Sequence, residues 1–255
     1  DILFVIDNSG SMSDNQRALA DNVSSFFAVF EDAGISDYQL GIITTDRAQL
    51  VGSIITDELP DPATEFASQA RVGTSGRDVE RGIDMASDAI ASGADGLIRE
   101  DGTLSLIFVS DEPDQSITSA DALVTQLYAL KGDPDKVVVH AVAGDVPGGC
   151  FSAEPGLGYD EVVAATGGLF LSICATDWGA ALEVIAEGAG GRIDTFPLSE
   201  DPYEPSIEVR IDGRPVVDGW TYDAEDNAIH FDEDHVPEGG SAIDVDYTLG
   251  SSCER

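Results

Sequence analysis

The sequence predicts an α/β fold, in which a Rossmann-like, doubly wound and mostly parallel sheet is followed by a small all-β appendage. Two observations carry this prediction. Apolar strand-like runs alternate with helical stretches over most of the 255 residues, and such alternation is typical of right-handed crossovers between parallel strands. After Arg192 the long helical pattern stops and short alternating strands follow. We therefore predict two domains, 1–195 and 196–255.

Five apolar runs are predicted to form the parallel strands. They are ILFVI (2–6), YQLGIITT (38–45), LSLIFVS (104–110), VVVHAVA (137–143) and LFLSIC (169–174). Their nearly continuous apolar character indicates a sheet that is covered on both faces. VGSIIT (51–56) follows the second run closely, which fits an antiparallel edge strand.

Four of the intervening stretches carry apolar residues at helical spacing, and Gly34 is placed to end the first helix. The stripes are Leu19, Val23, Phe26, Phe27 and Phe30; Val79, Ile83, Ala86 and Ile90; Leu123, Leu127 and Leu130; and Leu182, Ile185, Ala186 and Ala189. In the appendage, DG, AEDN and PEGG turns separate short strands. Trp220 and Tyr222 are expected near its core.

The charge of the chain limits its partners. Twelve Lys and Arg against 49 Asp and Glu give a net charge of −37, which repels phosphate backbones and anionic membrane surfaces and so argues against nucleic acid. A solvated acidic surface explains this charge, and many weak divalent-cation sites are the alternative. No apolar run approaches the roughly 20 residues of a membrane span, so no direct membrane insertion is expected. Because the chain lacks an initiator Met, we expect it to be part of a larger chain.

The three cysteines predict one disulfide. Cys174 ends the strand LFLSIC, and Cys150 follows the strand VVVHAVA by the turn GDVPGG. We expect these two strands to be neighbours in the parallel sheet, so both sulfurs start from the same edge. Cys253 would then stay unpaired. Two buried free thiols are the alternative. A disulfide would favour an extracytoplasmic location, because the cytosol keeps thiols reduced.

Oxygen-bearing side chains follow the first predicted strand. Asp7, Ser9 and Ser11 lie just past ILFVI, and open parallel sheets bind ligands at the carboxyl ends of their strands. Alternate spacing in a turn points the three side chains to one side. Oxygen-only ligation suits Mg²⁺, Ca²⁺ or Mn²⁺, so the sequence predicts a site for one divalent cation.

The stretch DNSGS (7–11) resembles the DxSxS signature of von Willebrand factor A domains, where it forms a metal-ion-dependent adhesion site. Two further elements of that family can be matched. The family's threonine resembles Thr74 in VGTSGRDVERGIDMA, and its aspartate resembles Asp111 in LIFVSDEPDQS. The three elements come in the family's order, and the resemblance covers about residues 1–193.

The resemblance implies a role for each of these residues. The hydroxyls of Ser9, Ser11 and Thr74 would be neutral ligands, while Asp7 and Asp111 would reach the cation through water or hold those waters in place. The ion would keep excess positive charge, and an oxygen donor of a protein or glycan partner would fill its open position. The family's usual role implies a cation-dependent adhesion or ligand-binding module of a secreted or cell-surface bacterial protein, and not an enzyme.

Each of these residues also has a purely structural explanation. The explanations are turn formation for Asp7 and Ser9, helix capping for Ser11, Ser13 and Thr74, and an Asx turn before Pro113 for Asp111. Independent caps have no reason to fall at all three family positions, which favours the metal site. Asp46 and Glu112 would lie on the same face, either supporting the site or as exposed loop acids.

Two other classes of function stay open. One is an intracellular assembly or chelatase-type subunit of an ATP-driven complex, against which a disulfide would count. The other is a metal-assisted hydrolase, for which a convincing general base is lacking. Haloacid dehalogenase-like phosphatases need a second Asp where this chain has Ser9, and GxSxG, GxxxxGK[ST], HExxH and CxxC motifs are absent. The histidines, His140, His230 and His235, are scattered, and His140 is expected in the core.

Overall fold

A computed structural model describes residues 1–32, 35–77, 79–189, 195–198, 202–211, 213–224, 227–232, 235, 237 and 243–248. The chain divides into two compact units, Asp1–Gly191 and Arg192–Arg255. The division therefore falls at 191/192, whereas the sequence placed it at 195/196. Each unit is described by itself.

The first unit is built on a six-stranded sheet. Its strands are β1 (Ile2–Ile6), β2 (Gln39–Thr44), β3 (Ile55–Thr56), β4 (Leu104–Ser110), β5 (Val137–Ala143) and β6 (Phe170–Ser172). They lie in the order β3-β2-β1-β4-β5-β6, and every pair is parallel except β2 with β3. The predicted doubly wound, mostly parallel sheet is confirmed, with its antiparallel edge strand.

Six helices connect these strands or follow them. They are α1 (Ser13–Asp32), α2 (Pro62–Gln69), α3 (Gly82–Ala91), α4 (Ala120–Lys131), α5 (Tyr159–Thr166) and α6 (Trp178–Ala189). Ser119 caps α4 by accepting a hydrogen bond from the Ala122 N–H, and Gly132 ends that helix in the left-handed region. Because α3 begins at Gly82, Val79 lies ahead of it and is exposed. Gly34 lies outside the described residues.

The alternation of side chains along the strands gives the sheet two apolar faces. In β1, Ile2, Phe4 and Ile6 pack with apolar residues of α1, α2 and α6. Leu3 and Val5 point the other way and pack with α3, α4 and α5. All five residues of β1 are buried, so the loop that follows this strand starts from a fixed position in the core.

The predicted disulfide between Cys150 and Cys174 is confirmed, with the two Cα atoms 6.3 Å apart. As the prediction required, β5 and β6 are parallel neighbours. The bridge ties the loop after β5 to the end of β6 at the carboxyl edge of the sheet. Cys253 lies outside the described residues. In the described part of the chain, no helix has both the length and the apolar character to cross a membrane.

The second unit consists of antiparallel strands, which confirms the predicted all-β appendage. They are β7 (Thr195–Pro197), β8 (Glu208–Ile211), β9 (Arg214–Val216), β10 (Trp220–Asp223), β11 (Ala228–Phe231) and β12 (Ile243–Asp246). Two three-stranded sheets form, in the orders β10-β11-β7 and β12-β8-β9. The core holds Val209, Ile229 and Phe231, against which Trp220 and Tyr222 pack while staying partly exposed.

The disulfide should contribute measurably to stability, because its 24-residue separation restricts the unfolded chain by about 3 kcal/mol. We expect the double variant Cys150→Ser/Cys174→Ser to lose roughly this free energy of unfolding in urea titrations under non-reducing conditions. Dithiothreitol should lower the stability of the wild type to that of the variant and leave the variant unchanged. Equal stability of the oxidised wild type and the variant would contradict the prediction.

His140 should make stability depend on pH. It is fully buried in β5, its Nδ1 accepts a hydrogen bond from the Leu169 N–H at 3.1 Å, and burial lowers its pKa to about 3. An unfolded His protonates near pH 6.5. Between about pH 6.5 and 3 the unfolded state therefore binds a proton that the folded state does not. Stability from this source is complete above pH 6.5 and falls by about 1.4 kcal/mol per unit below it.

The variant His140→Asn keeps a hydrogen-bond acceptor but cannot titrate. Its free energy of unfolding should fall less steeply than that of the wild type between pH 6.5 and 4.5. Urea titrations at pH 7.5, 6.5, 5.5 and 4.5 measure both slopes, and the many carboxylates common to both chains cancel in the difference. Parallel pH profiles would show that His140 does not resist protonation in the fold.

Candidate metal centre

The candidate site forms where β1 and β4 end side by side. Asp7 follows the last residue of β1 and Asp111 follows the last residue of β4. The two strands are parallel neighbours with Ile6 opposite Val109, and the Asp7 N–H donates to the Val109 carbonyl at 2.9 Å. The chain leaves β1 toward β2 on one side while β4 lies on the other, which makes this edge a topological switch point.

A chain of oxygen-bearing side chains connects the ends of these two strands. The Ser9 and Ser11 Oγ atoms are 3.2 Å apart, and the Ser11 hydroxyl donates to Asp111 Oδ1 at 3.1 Å. The Asp7 carboxylate accepts the Ser9 N–H at 2.7 Å and the Ser110 hydroxyl at 2.7 Å. The structure therefore brings four of the five predicted residues together, with both oxygens of Asp7 held by donors of the protein.

The fifth predicted residue, Thr74, lies on a loop that is fastened to the same edge. The Gln16 side-chain amide, from the first turn of α1, donates to the Asp7 carbonyl at 3.0 Å and to the Gly73 carbonyl at 2.8 Å. The Gly76 N–H donates to the Asn8 carbonyl at 2.8 Å. Thr74 itself is exposed, and its hydroxyl forms no hydrogen bond with another described residue. Hydrogen bonds thus hold the loop at the site, and the Thr74 hydroxyl is available to a ligand.

Burial works against negative charge at the two aspartates. Asp7 is 0% and Asp111 3% exposed. Burial raises the pKa of Asp7, against the hydrogen bonds from Ser9 and Ser110. Burial also raises the pKa of Asp111 to about 6, to which the charges of Asp7 and Glu112 add while the Ser11 hydrogen bond opposes. None of the ion pairs among the described residues involves either aspartate.

Glu80 is a third buried acid near this edge, and the sequence did not predict it. It is 0% exposed, its carbonyl accepts the Gln115 N–H at 2.7 Å, and its Oε1 meets no donor among the described residues. Burial raises the pKa of Glu80 to about 8, and the negative charge of Asp7 and a hydrogen bond with Glu112 add to it. The only signal in the sequence is its closeness to Thr74, since an acid just ahead of a helix is common on protein surfaces.

Asp46 and Glu112 are half-buried and belong to the loops around the site. Asp46 Oδ2 accepts the Arg77 N–H at 2.9 Å, on the loop that carries Thr74. The Glu112 carbonyl accepts the Ser110 hydroxyl at 3.0 Å, the same hydroxyl that holds Asp7. Gln16 and Ser110 complete the set of supporting residues that sequence reasoning missed, because nothing near them in the chain indicates their partners.

The donor set fits a hard cation. In the described part of the chain, no three His, Cys, Asp or Glu side chains are arranged to hold a metal ion. The site described above instead combines serine hydroxyls with two carboxylates, and such oxygen-only sets suit Mg²⁺, Ca²⁺ or Mn²⁺. Two buried carboxylates without a cationic partner are costly unless a charge of opposite sign compensates them. A divalent cation would supply that charge.

Comparison with protein-family models gives no match, and neither does comparison with curated proteins. Among solved structures, the chain is similar to a von Willebrand factor type A protein from Catenulispora acidiphila, with 11% identity over 98% of this chain and 58% of that one, at a TM-score of 0.46. It is also similar to proximal thread matrix protein 1 from the mussel byssus, with 14% identity, 79% and 50% coverage and a TM-score of 0.48.

A third similar structure is the pilus adhesin SpaC from Lactobacillus rhamnosus GG in its open conformation, with 14% identity, 97% and 38% coverage and a TM-score of 0.46. The chain spans 38% to 58% of the length of these three proteins. At these identities the similarity concerns the fold alone. The case for the site therefore rests on the residues of this chain.

Gly76 should be required for the assembly of the site. A Cβ at this position would lie 2.6 Å from the Asn8 carbonyl oxygen, so Gly76→Ala has to push the Thr74 loop away from DNSGS. We expect a loss of about 1–3 kcal/mol in the free energy of unfolding. The matched control is Gly10→Ala, inside DNSGS, where no atom beyond the two chain neighbours lies within 4 Å of the added Cβ. Urea titrations in which both variants behave alike would contradict the described contact.

Proposed function

We propose that the first unit is a von Willebrand factor A-type binding module, which holds one divalent cation at Ser9, Ser11 and Thr74 with the help of Asp7 and Asp111. The bound cation takes an oxygen donor from a protein or glycan partner. One observation carries this proposal. Two buried aspartates and two serine hydroxyls converge where β1 and β4 end, and no described Lys or Arg forms an ion pair with either aspartate.

In this proposal some residues bind the cation and others position its ligands. Ser9 and Ser11 present neutral oxygens on the edge of the site, and Thr74 adds a third from a separate loop. Asp7 already accepts two hydrogen bonds from the protein, so it orients its surroundings and contributes charge. When bound, the cation supplies an electrophilic position for a partner's oxygen, because neutral hydroxyls leave most of its charge uncompensated.

The loop after β5 supports a binding role for this edge. Phe151 is fully exposed at the turn that starts at Cys150, and the disulfide to Cys174 holds that turn. Three residues later, the Glu154 N–H donates to the Asp111 carbonyl at 2.9 Å. The loop that exposes Phe151 is thus tied both to β6 and to the loop of Asp111, and we propose Phe151 as a contact residue for a partner, because aromatic side chains are enriched where proteins bind partners.

The other classes of function receive less support. The disulfide favours a secreted or cell-surface location over an assembly in the reducing cytosol. For a metal-assisted hydrolase, a general base should stand beside the cation. His140 is buried within β5, while His230 and His235 belong to the second unit, so none of the histidines belongs to the loops that form the site. We propose a binding protein and not an enzyme, because a site that presents a cation to a partner's oxygen needs no general base.

The cation site can be tested by calorimetry. Titrations with Mg²⁺, Ca²⁺ and Mn²⁺ should show one site above the background of weak acidic sites. Asp111→Ala and Ser11→Ala should remove this site, because each variant loses one of the side-chain oxygens that connect the ends of β1 and β4. Ser13→Ala is the matched control, since this exposed serine lies two residues beyond Ser11, at the start of α1.

Identical binding heats in the wild type and both site variants would contradict the assignment of the cation to these residues. Loss of the site in Ser13→Ala would show that the effect is not specific to them. The class of partner is then identified by screening protein and glycan arrays in Mg²⁺ and in EDTA. Binding that persists in EDTA would not use the cation.

A further inference from the structure

A cavity of about 390 Å³ adjoins the candidate metal centre. Its walls include Asn8, Asp46, Arg47, Val51, Val72 and Arg77. Asn8 is the second residue of DNSGS, so the cavity and the candidate cation site share a wall. The Thr45 hydroxyl donates to Asn8 Oδ1 at 3.4 Å, and the Gly76 N–H donates to the Asn8 carbonyl. The two loops that carry the arginines are therefore both attached to the residue between the two sites.

The two arginines of this cavity form weaker or fewer ion pairs than most described Lys and Arg side chains. With 49 acidic residues available, most described cations form close ion pairs, such as Arg17 with Asp14, Arg71 with Asp21, Arg81 with Asp84 and Arg210 with Asp246. The Arg47 side chain is exposed and forms no hydrogen bond or ion pair with another described residue. The Arg77 side chain is 76% exposed, and its Nε lies 4.0 Å from Asp46 Oδ1.

Among the described residues, Asp46 is the one carboxylate that lines the cavity, and part of its hydrogen-bonding capacity is already used. Its Oδ2 accepts the Arg77 N–H at 2.9 Å, and its side chain is only 20% exposed. The described walls of the cavity therefore carry a net positive charge, with two guanidinium groups against one carboxylate, in a chain whose net charge is −37. This local reversal of charge lies directly beside the edge where the proposed cation would bind a partner's oxygen.

We propose that this cavity binds a second carboxylate of the same partner, and that the partner is an acidic peptide segment with two Asp or Glu side chains close together. The proposal rests on the cation site proposed above. One carboxylate would fill the open coordination position of the cation. The other would bind to Arg77 and Arg47, whose guanidinium groups match a carboxylate in shape and charge.

The walls of the cavity favour a peptide over a glycan. Val51 and Val72 offer apolar surface for the methylene groups of an acidic side chain, while none of the described walls carries an aromatic ring that would stack on a sugar. Long-range repulsion between the acidic chain and an acidic peptide is screened beyond about 8 Å at physiological ionic strength. The positive charge of the cavity walls therefore outweighs the net negative charge of the chain for a carboxylate bound there.

Fluorescence anisotropy with labelled peptides tests this inference in 150 mM NaCl and Mg²⁺. The probes are glycine-rich peptides with two glutamates, separated by one or by two glycines, and the same peptides with one glutamate replaced by glutamine. At one spacing at least, the peptide with two glutamates should bind about tenfold more tightly than the matching peptides in which one glutamate is replaced. EDTA should remove the binding of the one-acid peptides.

Arg47→Ala and Arg77→Ala should reduce this preference and leave the one-acid affinities unchanged, because neither side chain takes part in the cation site. The control is Lys136→Ala, which removes one positive charge just ahead of β5, at the opposite edge of the sheet. It should leave both affinities unchanged. Thermal unfolding of each variant shows that the fold is kept, as expected for two exposed arginines.

The outcomes separate the two proposals. Cation-dependent binding of the one-acid peptides without a preference for two acids would overturn the carboxylate subsite and leave the cation site standing. A preference that persists in both arginine variants, or that Lys136→Ala removes equally, would overturn the subsite as well. If no peptide binds in Mg²⁺ and calorimetry also shows no cation site, both proposals fail together.

Discussion

The parallel pairing of β1 with β4 is the constraint on which the candidate site depends. It continues one residue beyond β1, through the hydrogen bond from the Asp7 N–H to the Val109 carbonyl. Both strands are fully buried, so a slip by one residue would turn every side chain to the opposite face of the sheet, where it would not fit the close packing of its new neighbours. The two apolar cores therefore fix the register. That register brings Asp7 and Asp111, which are far apart in the chain, to one edge.

The features that the sequence predicted correctly are those with a local cause. The strands could be predicted because a parallel sheet covered on both faces needs nearly continuous apolar runs. The helices could be predicted where a long helix packs on that sheet and shows an apolar stripe. The disulfide between Cys150 and Cys174 followed from the order of two adjacent strands. Two helices, α2 and α5, escaped prediction because each has only eight residues, too few to show a clear periodicity.

The features that the sequence did not reveal depend on contacts between distant segments. Gln16 bridges Asp7 to Gly73, 57 residues further along the chain, and no pattern near Gln16 indicates such a partner. Val79 was assigned to a helical stripe, but α3 begins only at Gly82, where a Cβ would lie 2.7 Å from the Tyr159 hydroxyl. Ahead of this helix start Val79 is exposed and Glu80 is buried, the reverse of what the helical stripe predicted for Val79 and of what is common for an acid ahead of a helix.

The composition of the candidate site fits the proposal that this acidic protein binds an acidic group. A cation held mainly by carboxylates would be bound more tightly, but its charge would be neutralised before a partner arrived. Ser9, Ser11 and Thr74 contribute oxygen without charge, so the proposed cation keeps its attraction for a partner's carboxylate. Asp7 and Asp111 supply negative charge from within the protein, where hydrogen bonds from Ser9, Ser110 and Ser11 position it. In the same proposal, the arginines on the neighbouring loops would attract the partner's second carboxylate, where the rest of the surface would repel it.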